Sequence, residues 1–238
     1  MKITCHMIMS VDGRLLPKYW SPLYNASSSV TEVYEAADAK LSADGWIVGR
    51  NTMDEYGADV VEEKEPMEGH KTMQTNTFIG KREGRPLAVV FDIQGRLHYK
   101  SPTLPSGEHI VAVLGSHVTR AYQKELEEIG VSYIMRTPGS KLEETQSALK
   151  HLEHDFNVKH MLLEGGAITC GNFLQMGLVD ELSLIVYPGL DGQSDQPSVI
   201  ECQGVVEPLK KNRLELIDCE TIGSGYVWPV SYTHLTLP

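Results

Sequence analysis

The run Leu163-Glu164-Gly165-Gly166-Ala167-Ile168-Thr169-Cys170-Gly171-Asn172 places a carboxylate and three glycines between an apolar triplet, Met161-Leu162-Leu163, and a helical pattern that continues to Met176. Glycines at a strand-to-helix junction let the backbone approach a ligand, and the first N–H groups of the helix point at it. Such an arrangement suits a pyrophosphate. The spacing is not the G-x-G-x-x-G of the Rossmann fold, so ordinary dinucleotide binding by that fold is not supported. A Gly-Gly turn also serves purely structural ends.

Other side chains have two readings each. Asp12, in Asp12-Gly13, is either a carboxylate that bonds substrate or manages a proton, or a turn residue bonding its own backbone. Glu164 either orients substrate hydroxyls or faces the helix N-terminus, which favours a carboxylate. Lys40, late in a helical pattern, is a point charge for a phosphate or a solvated helix-terminal lysine. Thr52 is an N-cap, a cofactor ligand or both. Ser116 and Arg120 are candidates for a 2′-phosphate, against a capped surface helix. Cys5, Cys170, Cys202 and Cys219 form no C-x-x-C pair, and His151 with His154 fits a solvated helix end, so no metal is expected.

These groups lie on or between recognisable elements. Residues 2–9 read as a strand, and residues 10–29 as a long loop with the turn formers Asp12-Gly13, Pro17 and Pro22. Ser27, Ser28 and Ser29 offer an N-cap for a helix whose positions Val30, Val33, Tyr34, Ala37 and Leu41 recur at helical spacing. Residues 46–48 form a short strand ending at Gly49, and a short helix opens near Asn51. Residues 57–83 turn polar without a period and read as an insertion or flap. Strands follow at 87–91, 110–114, 131–135 and 161–163, with helices over 118–129 and 142–154. Alternating β and α segments predict an α/β fold with a mostly parallel sheet covered by helices on both faces. Strands at 182–187, 213–221 and 226–230 without intervening helices predict an antiparallel C-terminal edge. Residues 1–230 read as one domain, and 231–238 as a non-native tail set apart from the fold.

With 238 residues, 41% hydrophobic and 22% charged, the chain has the composition of a folded globular protein. The formal net charge of −11 argues against a general nucleic-acid binder, which needs a basic face to displace counterions. No stretch reaches transmembrane length and no signal-peptide pattern opens the chain, so a cytoplasmic protein is expected.

Glu164-Gly165-Gly166, Gly171, the run Gly177-Leu178-Val179-Asp180-Glu181-Leu182 and Pro188-Gly189-Leu190-Asp191-Gly192 resemble the signature of the riboflavin-biosynthesis reductase family, with its dihydrofolate-reductase-like fold. Ser10-Val11-Asp12-Gly13-Arg14, Val48-Gly49-Arg50-Asn51-Thr52, and Val90-Phe91-Asp92 with Gly95-Arg96-Leu97 extend the similarity in matching order. The resemblance implies NADPH-dependent reduction of a ribosylaminopyrimidine phosphate to its ribityl form, in which the protein mainly positions hydride donor and acceptor. It implies catalytic roles for Asp12 and Glu164, and substrate contacts at Lys40 and Glu164. It places the cofactor at Thr52, Gly165, Gly166, Ala167, Ile168, Thr169 and Gly171. The family tends to have arginine where this chain has Lys40. It further implies a homodimer, through the antiparallel edge. The P-C-x-x-C run of the zinc deaminase found in bifunctional members is absent, so a stand-alone reductase is expected. The acidic balance and the polar insertion leave two alternatives open: a dihydrofolate-reductase-like reductase of another pyrimidine, pterin or carbonyl compound, or a nucleotide-binding protein without turnover.

Overall fold

The computed structural model describes residues 1–24, 27–56, 60–62, 77–203 and 213–234. The chain opens with β1 (Lys2–Ser10), α1 (Val30–Leu41), β2 (Gly45–Gly49), α2 (Arg50–Tyr56) and β3 (Val60–Glu62). It continues through β4 (Leu87–Phe91), β5 (Leu97–Tyr99), β6 (His109–Leu114), α3 (Arg120–Ile129), β7 (Ser132–Met135) and α4 (Lys141–Asp155). It closes with β8 (His160–Leu163), α5 (Ala167–Gln175), β9 (Glu181–Tyr187), β10 (Arg213–Ile222) and β11 (Tyr226–His234). Two compact units result: Met1 with residues 44–161, and residues 2–43 with 162–238.

In the first unit β2, β4, β6 and β7 pair in parallel, with Ile47 opposite Val89, Val89 opposite Val111 and Val113 opposite Ile134. Every residue of β6 is buried, the condition of a parallel strand covered on both faces. Tyr122 and Leu126 of α3 join Ala88, Val90, Ile110 and Leu114 in one core. The ends of the helices follow local chemistry. Thr119 accepts the Tyr122 N–H and starts α3, and Ser140 with Glu143 forms a reciprocal capping box that starts α4. The short antiparallel pair β3 and β5 was not anticipated, because three residues are too few to show a period. Most of the polar 57–83 stretch, expected as an insertion or flap, lies outside the described residues.

The second unit is drawn from both ends of the chain. β1 pairs in parallel with β9 from Thr4 opposite Glu181 to Ser10 opposite Tyr187, β11 runs antiparallel to β9, and β10 antiparallel to β11. β9 is therefore the strand at which the sense changes. The antiparallel C-terminal edge agrees with expectation, and with the parallel strands it gives the mixed α/β architecture. α1 begins at the predicted serine cluster: Ser29 accepts the Glu32 N–H while Glu32 accepts the Ser29 N–H. Its Val33 and Ala37 pack with Trp20, Ile185, Tyr187, Tyr226 and Trp228.

β11 runs four residues past residue 230, where the sequence pattern ended the strand. Ser231 through His234 continue β11 in register with β10, and Thr233 is buried with its N–H donated to the Asp180 carbonyl at 3.0 Å. Alternation of Val, Ser, Tyr and Thr is compatible with a β ladder whatever its origin. Residues 235–238 lie outside the described residues.

Candidate active site

The glycine turn sits where β8 ends and α5 begins. Gly165 has φ +119°, a conformation that side chains rarely adopt, whereas Gly166 is extended at φ −68°, ψ −174° and occupies the N-cap of α5. The peptide bond joining them is cis. Gly166 provides no side-chain cap, so the first-turn N–H groups of Ala167, Ile168 and Thr169 receive none. Ile168 is exposed and Thr169 half-buried, so part of this turn faces outward. An uncapped helix start preceded by backbone without Cβ atoms fits a pyrophosphate.

Gly171 belongs to packing. A Cβ placed there would stand 1.9 Å from the Glu201 carbonyl oxygen. The segment around Glu201 lies on α5, with the Glu201 N–H donated to the Ala167 carbonyl at 3.1 Å and the Cys202 thiol to the Gly171 carbonyl at 3.6 Å. Gly171, where a cofactor contact was expected, has a neighbouring backbone in the place of a side chain.

Glu164, half-buried at the end of β8, meets Tyr34 of α1, which a pattern reading counts only as an apolar helix position. The Tyr34 hydroxyl donates to the His6 carbonyl at 2.9 Å, and its ring stacks on His6 at 4.5 Å. Burial first, then the charge of Glu164 and a hydrogen bond with it, push the Tyr34 hydroxyl far above its ordinary range, so it keeps its proton. Beneath them Trp228 Nε1 donates to Ser183 Oγ at 2.7 Å, and Ser183 Oγ lies 2.9 Å from His6 Nδ1. Burial lowers His6 to about 4, leaving it neutral at pH 7. Nearby, the hydrogen bond with the Cys5 thiol, then burial, push the Cys170 thiol well up, so it is no nucleophile.

Asp12 has a different setting. Its Oδ1 accepts from Ser10 Oγ at 2.6 Å and from the Asp191 N–H at 3.1 Å, and its Oδ2 accepts from the Gly192 N–H at 2.8 Å. The hydrogen bond from Ser10, then those from Gly192 and Asp191, hold its carboxyl well below the usual carboxylate range. These bonds make Asp12 a clamp between two loops, the turn-residue setting weighed for it beside a catalytic one.

Lys40 extends from α1 to Glu220, with Nζ 3.0 and 2.9 Å from its two oxygens, and lies 5.1 Å from the centre of the Trp228 ring. Its charge is thus shared with a carboxylate on β10. In the first unit, Thr52 is the third residue of α2, which starts directly at Arg50, so it is not an N-cap. Arg120 is bound at 2.6 and 2.9 Å by Glu127, which answers its charge without a phosphate. Among the described residues no cluster of three potential metal-ligating side chains occurs, and no helix is long and apolar enough to cross a membrane.

Parallel strands with an antiparallel edge, and a helix that starts without a side-chain cap after a glycine turn, define a mixed α/β protein. The chain belongs to the RibD C-terminal domain family, whose family model matches residues 1–228. It is 26% identical over 145 residues to a 2,5-diamino-6-ribosylamino-4(3H)-pyrimidinone 5′-phosphate reductase of Archaeoglobus fulgidus, covering 61% of this chain and 62% of that one. A protein of the same description from Methanothermobacter thermautotrophicus is 31% identical over 80 residues, covering 34% of this chain and 36% of the relative. The chain thus aligns with less than two thirds of the length of either relative. Among solved structures, RibD of Acinetobacter baumannii superposes with a TM-score of 0.63 at 19% identity, over 98% of this chain and 57% of that one. The Saccharomyces riboflavin biosynthesis reductase Rib7 gives 0.61 at 15% identity, over 98% and 89%. These likenesses establish the fold.

Proposed function

We propose that this protein is an NADPH-dependent reductase that converts a ribosylaminopyrimidine phosphate to its ribityl form in riboflavin biosynthesis. The observation that carries this reading is the uncapped start of α5 at Gly166, two residues after Glu164, in a chain of the RibD C-terminal domain family whose named relatives are pyrimidinone phosphate reductases. When bound, NADPH supplies the hydride. The N–H groups of Ala167, Ile168 and Thr169 hold its pyrophosphate, with Gly165 and Gly166 permitting the close approach. Glu164 faces the sugar of the substrate, and Lys40 offers a charge for its phosphate once released from Glu220. Asp12 contributes by fixing the loop of residues 189–192. Residues 1–230 act as one reductase domain, cytoplasmic, and as a homodimer through the C-terminal strands, where β10 is almost wholly exposed.

Purified protein incubated with NADPH and a panel of phosphorylated ribosylaminopyrimidines, their dephosphorylated forms, pterins and simple carbonyl compounds tests this. Oxidation of NADPH only with the phosphorylated ribosylaminopyrimidines is the expected result. Turnover of a pterin or carbonyl compound instead, or NADPH binding without turnover, overturns it. Gel filtration across a concentration series tests the dimer, which a monomer at every concentration excludes.

A further inference from the structure

We propose that the face of β9, β10 and β11 turned away from α1 packs, sheet on sheet, against the same face of a second copy of this chain. The inference rests on the homodimer reading above and goes beyond it in naming the surface and the manner of contact. Successive residues of a strand point to opposite sides of a sheet. On β11, Tyr226, Trp228 and Val230 pack with Val33 and Ala37 of α1, so Val227, Pro229 and Ser231 lie on the far side. Register carries this across to β10, where Leu214, Leu216, Cys219 and Thr221 stand opposite Thr233, Ser231, Pro229 and Val227. Arg213, Glu215, Asp218 and Glu220 share the side of α1. The register shift between Leu216 and Asp218 is what separates the two sets, since regular alternation would put Asp218 on the same side as Leu216.

The far side of β10 therefore carries no charged residue, and it is open. Leu214 is 54%, Leu216 61% and Val227 41% exposed, and Cys219 is exposed among them. The apolar surface continues over β9 through Leu184 and Val186, both half-buried. Strands of this length at about 3.3 Å per residue, three abreast at about 4.8 Å, make a patch of about 30 Å by 15 Å. Two such patches cover roughly 900 Å² in projection, and more with side-chain relief, against about 1,000 Å² in total for a small specific interface.

Charge selects the occupant. With a net charge of −11 the chain repels its own copies over much of its surface. A two-fold contact sets a patch against its own image, so an acidic patch meets an acidic patch and an uncharged one meets no repulsion. The far side of β10 meets that condition, whereas the side with Glu215, Asp218 and Glu220 does not. Pairing of two β10 edges is disfavoured by the strand itself. Its bulge interrupts the ladder, and the Cys219 N–H is donated to the Asp218 carboxylate at 2.8 Å, which occupies it.

Sedimentation equilibrium of L216E and Y232E tests the contact. Leu216 lies on the far side and Tyr232, 48% exposed, on the side of α1, so neither substitution enters a core. L216E should raise the dimer dissociation constant about a hundredfold or more, because each copy brings a glutamate to the contact, and Y232E should change it by less than about threefold. In wild type, alkylation of Cys219 by iodoacetamide, read by peptide mass spectrometry, should slow severalfold as the concentration rises through the dissociation constant. A dimer that L216E leaves intact, or that Y232E disrupts instead, overturns the face-to-face contact while the homodimer stands. Wild type that is monomeric at every concentration overturns both. If L216E fails to fold, Cys219 alkylation that does not slow on dimerisation overturns the proposal by itself.

Discussion

The Asp12 carboxylate accepts the Gly192 N–H at 2.8 Å across 180 residues of sequence, joining the turn after β1 to the turn after β9. Two strands that are parallel neighbours are thereby also tied at one end through their loops. Asp12→Asn offers one carbonyl oxygen in place of two, so one of the Asp191 and Gly192 amides loses its acceptor. Those amides should exchange hydrogen severalfold faster in the variant. The pH dependence has a definite sign. The folded value lies below the unfolded value of about 3.9, so the clamp is complete above that pH and is lost only as pH falls through the lower folded value. Wild-type protection at residues 191 and 192 should therefore persist from pH 7 to about 4.

Lys40 has a competitor for any phosphate in Glu220. An exposed pair of this kind contributes roughly 0 to 1 kcal/mol, so a phosphate can displace it. Glu220→Gln should lower KM for a phosphorylated substrate by about two- to fivefold, in keeping with that magnitude. Lys40→Ala should lower kcat/KM about tenfold or more through loss of a charge-assisted contact. Dephosphorylated substrate should respond to neither variant, and steady-state kinetics on the two compounds checks this.

Gly166 and Gly171 should separate binding from packing. The extended backbone at Gly166 is open to other residues, so Gly166→Leu should keep its far-UV circular dichroism while weakening NADPH about tenfold or more by blocking backbone approach. Gly171→Ala puts a methyl against the Glu201 carbonyl. It should reduce stability by about 1 to 3 kcal/mol, seen in urea denaturation.

Acid should destabilise the protein through two buried histidines. Burial lowers His6 to about 4, and burial with the nearby charges of Arg82 and Arg85 does the same to His109. Their folded values lie below the unfolded value of about 6.5, so as pH falls from 6.5 toward 4 the unfolded chain binds protons that the folded chain refuses. Stability is full above that window and declines within it. His109 Nε2 lies 2.7 Å from Ser132 Oγ, a bond a glutamine oxygen can take over. In His109→Gln the loss of unfolding free energy between pH 7 and pH 5 should be smaller by about 2 kcal/mol, measured by urea titration at both values.

Legibility in the sequence tracked how local each signal was. The Ser29 cap, the fully apolar β6 and the glycine turn before α5 are each set by a few consecutive residues, and each lies where the residue pattern put it. Gly171 illustrates the opposite case. Nothing within its own stretch distinguishes a glycine that admits a ligand from one that admits the backbone at Glu201, thirty residues away. Tyr34 gave a partial signal, since a tyrosine on a buried helix face must place its hydroxyl somewhere, but its partners His6 and Glu164 lie far from it in sequence, on either side. Pairing of Lys40 with Glu220 and of Asp12 with Gly192 was likewise invisible before the strands were in register.

The pairing of β1 with β9 bears on how the molecule emerges from a ribosome. Glu181, the ladder partner of Thr4, is translated 177 residues after it. Until β8 and then β9 are made, β1 has neither of its sheet neighbours, whereas β2, β4, β6 and β7 are all synthesised before β8 and can pair among themselves. During that interval Ile3, Cys5 and Met7, buried in the finished protein, are open to chaperones or to the wrong edge of another nascent chain. Slow translation between residues 44 and 161 would lengthen the exposure, so the speed of elongation there bears directly on the yield of folded protein.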